Sequence, residues 1–258
     1  MSRGQRSLPG LLSLPGLLSV LGLASLLGLS GSALVGCGGP IPARERGAEL
    51  FGAASLSSSP SNAFACATCH ATSGSEARRL AGYPLTGSSA RAAWGGGAYN
   101  YFLDAVNECL VEFMRGAPFT PQSEDGRALL VYLQSLPASG PDPGRALPLT
   151  VVRNLDAIYY ASLPAGDAGR GATLYGAACL GCHGALHSGA GRLGAFVTAI
   201  PDQTMARHGS DPVTGARPIT IEKIRHGKFF LAGGNMPLYS LEALSDQELA
   251  DLLVHLGY

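Results

Sequence analysis

Charge is the first thing this chain lacks. Only 14% of its 258 residues are charged, and 18 basic side chains face 18 acidic ones. A nucleic-acid partner needs a surplus of Lys and Arg on one surface, so this balance excludes that electrostatic footprint. Acid is wholly absent from the opening segment: no Asp or Glu precedes Glu45. Arg3 and Arg6 are followed there by a Leu-, Gly- and Ser-rich apolar stretch to about Val35, the order of charge then hydrocarbon that marks an export signal. The stretch is long enough to span a bilayer as an uncleaved helix. Pro9, Pro15 and its glycines weaken that alternative. Cysteine is scarce too, with six in all, but their placement is not random.

The pentapeptide Cys66-Ala67-Thr68-Cys69-His70 returns as Cys179-Leu180-Gly181-Cys182-His183. C-x-x-C-H reads as a site of c-type haem attachment. Its two thiols can form thioethers with the vinyl groups of one haem, and the adjacent imidazole is held to meet the iron. Cys66, Cys69, Cys179 and Cys182 are therefore candidates for covalent attachment, and His70 and His183 for iron ligation. A single copy would also fit half of a zinc site or a redox-active thiol pair. Two copies, each with histidine directly after the second cysteine, point to two covalently bound haem c groups.

A second repeat runs alongside the first. Arg46-Gly47-Ala48-Glu49-Leu50-Phe51-Gly52 precedes one haem motif, and Arg170-Gly171-Ala172-Thr173-Leu174-Tyr175-Gly176 precedes the other. Five of the seven positions are identical. Each reads as a short helix. Each half closes on an amphipathic segment, Leu129-Leu130-Val131-Tyr132-Leu133 and Leu252-Leu253-Val254-His255-Leu256. Ser245 with Glu248 forms a capping box for the second closing helix, and Thr120-Pro121 reads as a cap and first-turn proline for the first. Such self-similarity predicts two copies of one fold. Pro137 to Gly144 is a turn-rich linker, and residues 149–163 have the apolar pattern of one helix crossing the junction.

The order of helix, haem motif, loop-rich middle and terminal helix resembles the class I cytochrome c family, over about residues 43–136 and again 165–258. The resemblance implies an all-α fold of two tandem cytochrome c-like domains, each a few helices wrapped round a covalent haem, joined by residues 137–164. It also implies a sulfur ligand for the second iron. In that family a methionine just before the last helix, often followed by proline, takes the sixth position, and Met236-Pro237 matches. The soft thioether favours Fe(II) and raises the potential. His226 is a competing nitrogen ligand.

The end of the leader, Leu34-Val35-Gly36-Cys37, resembles the lipobox of bacterial lipoproteins. This implies cleavage after residue 36, lipid on Cys37 and a short tether over 37–42. Gly38 in place of aspartate favours the outer membrane, with the haem domains on the periplasmic side. With four cysteines assigned to haem and one to lipid, Cys109 is left without a partner.

Around that thiol, Asn107, Cys109, Met114 and Gly116 resemble thiosulfate dehydrogenases and the haem-bearing A subunit of the sulfur-oxidising complex, where the cysteine is the distal iron ligand. Cys109 is thus a candidate ligand of the first haem, with Met114 as its alternative. The pattern departs from those enzymes at Ala105-Val106, where they carry Arg-Ile, and at Arg115, where they carry asparagine. The expected function is electron relay by an exported, membrane-anchored dihaem cytochrome whose partners are other exported redox proteins. The alternative is oxidation of thiosulfate or a similar sulfur anion at the first haem, with Cys109 taking part and Arg91 and Arg115 holding the anion. Nothing in the sequence favours a dihaem peroxidase.

Overall fold

Two helix crossings organise the chain, each built on a glycine. The computed structural model describes residues 41–73, 80–138, 147–228 and 234–258. In α1 (Ala43–Gly52), Leu50 and Phe51 share a buried face with Gly47. That face lies across α4 (Glu124–Gln134), whose Ala128, Leu129 and Leu133 complete the cluster. A methyl group at Gly47 would sit 2.1 Å from the Ala128 carbonyl oxygen, so only glycine lets the backbones approach this closely. The second crossing repeats the contact. Gly171 of α6 (Ala168–Leu174) faces α10 (Asp246–His255), and a methyl there would sit 2.1 Å from the Asp251 carbonyl oxygen.

The repeat extends to ring geometry. Phe51 and Tyr132 have centroids 5.6 Å apart at 53°; Tyr175 and His255, their counterparts, are 5.7 Å apart at 54°. Around the second crossing a larger core forms from Tyr160, Ile221, Ile224, Leu249, Leu252 and Leu253, with α9 (Ala216–His226) supplying both isoleucines. A third cluster joins the halves: Phe64, Leu110 and Met114 pack with Cys182 and Leu193. Pro40–Tyr258 is accordingly one compact unit. The first crossing lies within residues 43–136 and the second within 165–258. Between them the described backbone is helical with no strand, and Trp94 and Tyr99 make one isolated bridge. Among the described residues no helix is long and apolar enough to cross a membrane. The leader, Cys37 and part of the linker lie outside the described residues.

The short helices carry the motifs. α2 (Cys66–Cys69) holds the first pair of cysteines. α3 (Phe102–Glu108) runs into a π turn, Cys109–Phe113. α6 likewise runs through a π turn, Tyr175–Cys179, into α7 (Leu180–His183). Single π turns inside helices gather at functional sites, and here each carries a candidate site cysteine.

Two sequence expectations need correction. Residues 149–163 do not form one helix; only α5 (Ala157–Ser162) does, begun by the Asp156 carboxylate accepting from the Tyr159 amide at 2.9 Å. The preceding residues have no regular secondary structure, their polar groups being bonded elsewhere. The Thr150 amide donates to Glu242 at 3.0 Å, Leu241 donates to the Thr150 carbonyl, and His226 Nε2 donates to the Val152 carbonyl at 2.6 Å. The Thr120 cap fails as well. α4 starts at Glu124, because Ser123 Oγ accepts from the Thr120 amide and the chain turns once more before the helix begins. The Ser245–Glu248 capping box forms as expected, the Ser245 amide donating to Glu248 Oε2 at 2.8 Å.

Candidate haem-binding site

In the first half the motif opens onto a cavity of about 440 Å³, within the range of small-molecule and cofactor pockets. Its lining is overwhelmingly apolar. Cys66, Cys69 and His70 line it together with Cys109 and Met114. The structure therefore brings both thiols and the histidine of the first motif, with both candidate distal sulfurs, to one cavity. Trp94 adds a wall; it stacks on Phe102 at 5.1 Å and 20°, its indole N–H donating to the Ser88 carbonyl.

His70 keeps one ring nitrogen available. Its Nδ1 lies 2.9 Å from the Tyr83 carbonyl oxygen, which can only accept, so the proton sits on Nδ1 and the Nε2 lone pair is free. Burial lowers the His70 pKa, keeping the ring neutral. Gly82 makes room for the imidazole: a methyl there would lie 2.3 Å from His70 Cε1. In the second half His183 repeats the arrangement, Nδ1 donating to the Thr198 carbonyl at 2.9 Å, with burial again lowering its pKa. Met236 and Cys179 pack against one core cluster, that of Tyr175 and Ile224. The chain thus offers free imidazole nitrogens beside paired thiols, a soft thioether in the second half and an apolar enclosure in the first. This donor set fits haem c.

The competing readings of the motif fare worse. Burial pushes the Cys66, Cys69 and Cys179 thiols up to about 12 and raises that of Cys182. Thiols held neutral are poor nucleophiles, which disfavours thiol redox chemistry. Among the described residues no group of three or more His, Cys, Asp or Glu gathers around a possible metal position, as a zinc site would require.

The two motifs approach each other. Cys182 packs against the Phe64, Leu110 and Met114 cluster of the first half. Pro237 and Leu238, which follow Met236, line the first cavity.

The remaining candidates are placed as follows. Burial, with Glu108 adding to it, pushes the Cys109 thiol up to about 11. Arg91 lines the cavity while one guanidinium nitrogen donates to the Pro84 carbonyl at 2.8 Å. Arg115 instead directs its guanidinium to Asn235. Asn107 clamps the loop after the π turn, donating to the Phe119 carbonyl and accepting its amide. His226 is buried, its Nε2 donating to the Val152 carbonyl. Sequence reasoning missed Gly82, Tyr83 and Thr198, which set the two imidazoles. It also missed Asn235, whose only signal was adjacency to Met236.

Residues 166–256 match the family described as cytochrome C oxidase, cbb3-type, subunit III. This segment is a c-type cytochrome domain, which implies covalently bound haem c and redox partners. No curated protein matches the chain.

Proposed function

We propose that the chain is an exported dihaem cytochrome c, anchored to a membrane through lipid on Cys37, that relays electrons between other exported redox proteins. What carries this reading is the duplication of the proximal site: two C-x-x-C-H motifs, each with its histidine Nδ1 bonded to a backbone carbonyl and Nε2 free. The repeated helix crossing supports two cytochrome c-like halves. Haem c, when bound, supplies a one-electron iron couple whose potential follows its axial ligands, burial and hydrogen bonds.

The protein's part is placement. Cys66 and Cys69, and Cys179 and Cys182, would tether each porphyrin; His70 and His183 would present Nε2. Met236 offers its thioether to the second iron. The first cavity offers Cys109, with Met114 in reserve. The packing of Cys182 against Phe64, Leu110 and Met114 of the first half supports neighbouring redox centres, and so internal electron transfer without a diffusing carrier. The thiosulfate-oxidising alternative would need basic side chains at the Cys109 cavity. Arg91 lines it, but Arg115 is engaged by Asn235. We expect no thiosulfate turnover.

A potentiometric titration of the haem-loaded protein tests the proposal. Two one-electron couples are expected, and Met236→Leu should move one of them downward and leave the other. A single couple in the wild type, or turnover of thiosulfate that disappears in Cys109→Ala, would overturn it.

A further inference from the structure

The two loops that offer distal sulfurs are fastened to each other. Asn235, immediately before Met236, accepts at Oδ1 from Arg115 Nε at 3.0 Å and Nη2 at 2.9 Å. Its Nδ2 donates to the carbonyl of Phe113, immediately before Met114, at 2.8 Å. Lys228 runs a parallel tie. Its Nζ donates to the Glu112 carbonyl at 2.7 Å and pairs with the Glu112 carboxylate, while its amide donates to the Met236 carbonyl at 3.0 Å. Arg115, Phe113, Glu112 and Asn235 each lie within three residues of a candidate distal sulfur.

Local chemistry makes the tie specific. Asn235 is only 9% exposed, so its amide exchanges little with water and its bonds are not readily replaced. Arg115 holds a left-handed backbone, φ 56°, uncommon for a residue with a side chain. That turn carries its guanidinium out of the first half and onto the second. Side chains that hydrogen-bond around a metal ligand orient it and tune the metal. Here the orienting groups come from the opposite half.

We propose that Arg115 and Asn235 are positioning residues acting across the halves. Arg115 holds Asn235, and through it the Met236 sulfur of the second site. Asn235 holds the Phe113 carbonyl, and through it the π turn and the Cys109 and Met114 sulfurs of the first. The proposal rests on the dihaem reading. It adds that neither distal ligand is set by its own half alone.

The test uses the full chain matured with both haems, and reads low-temperature EPR of the oxidised protein together with both potentials. Met236→Leu identifies which signal belongs to the second haem. Arg115→Asn suits the left-handed backbone and removes the guanidinium. It should shift the signal and the potential of the second haem, although the substitution lies in the first half. Asn235→Ala should shift those of the first haem. Arg115→Lys, which retains a donor, should return the second signal part of the way to wild type. Two haems with each variant altering only the haem of its own half would overturn the proposal and leave the dihaem reading standing. Protein carrying fewer than two porphyrins would overturn both.

Discussion

The two halves repeat one helix crossing and lock it in different ways. In the first, Ala128 faces Gly47, and Arg46 reaches Asp125 at the surface, both side chains 43% exposed. In the second, Asp251 stands where Ala128 stands, and it is 1% exposed. Its carboxylate accepts from Arg170 Nε and Nη2 at 2.7 and 2.8 Å, from the Asp167 amide at 2.7 Å and from Gln247 at 3.1 Å. The apolar contact and its glycine recur; the polar lock does not. Helix approach distance is thus set by geometry common to both halves, while the manner of fastening follows from a single position on the closing helix.

The sharpest way to break this comparison is to fill the crossings. Gly47→Ala and Gly171→Ala each place a methyl against a carbonyl that cannot withdraw. Each should lower stability by about 1–3 kcal/mol or more, the usual cost of overpacking. Urea denaturation of the haem-loaded protein measures it. Equal, small losses at both sites would show that the helices slide apart freely.

A smaller effect separates the halves by pH. The Arg170 guanidinium beside Asp251 holds its carboxyl down, from the ordinary 3.8 to about 2. A depressed carboxylate contributes stability above its unfolded pKa and loses it as pH falls through the folded value. The second crossing should therefore weaken between about pH 4 and pH 2. Asp251→Asn should reduce stability at neutral pH and flatten that acid slope. An unchanged slope would remove Asp251 from the account. The first half, with Ala128 there, has no such carboxylate to titrate. Smallest of all should be Arg46→Ala. Its pair with Asp125 is exposed and screened, so the denaturation midpoint should not move measurably, whereas Arg170→Ala should move it. A large shift for Arg46→Ala would erase the contrast.

What could be read along the chain was whatever repeats or sits within a few residues. The C-x-x-C-H motifs, the duplicated Arg-Gly-Ala segment and the Ser245 capping box are local patterns; the duplicated segment forms a helix in each half, and the capping box forms. Residues 149–155 looked helical because Leu149, Val151, Val152 and Leu155 have an apolar pattern. Their backbone instead bonds to Glu242, Leu241 and His226, far away in sequence. Thr120 looked like a cap because threonine before proline often is one, yet Ser123 supplies the hydroxyl that redirects the turn. The imidazole-setting carbonyls of Tyr83 and Thr198 carry no side-chain signal at all. Arg115 and Asn235 meet only when the two halves pack.

In the proposed reading each half carries one covalently attached haem. Intact-protein mass spectrometry of the chain matured in a host with haem-attachment machinery tests it most directly. The wild type should show two added porphyrins, and replacing either Cys66 with Cys69, or Cys179 with Cys182, by alanine should remove one. A wild-type mass with one porphyrin or none would contradict it.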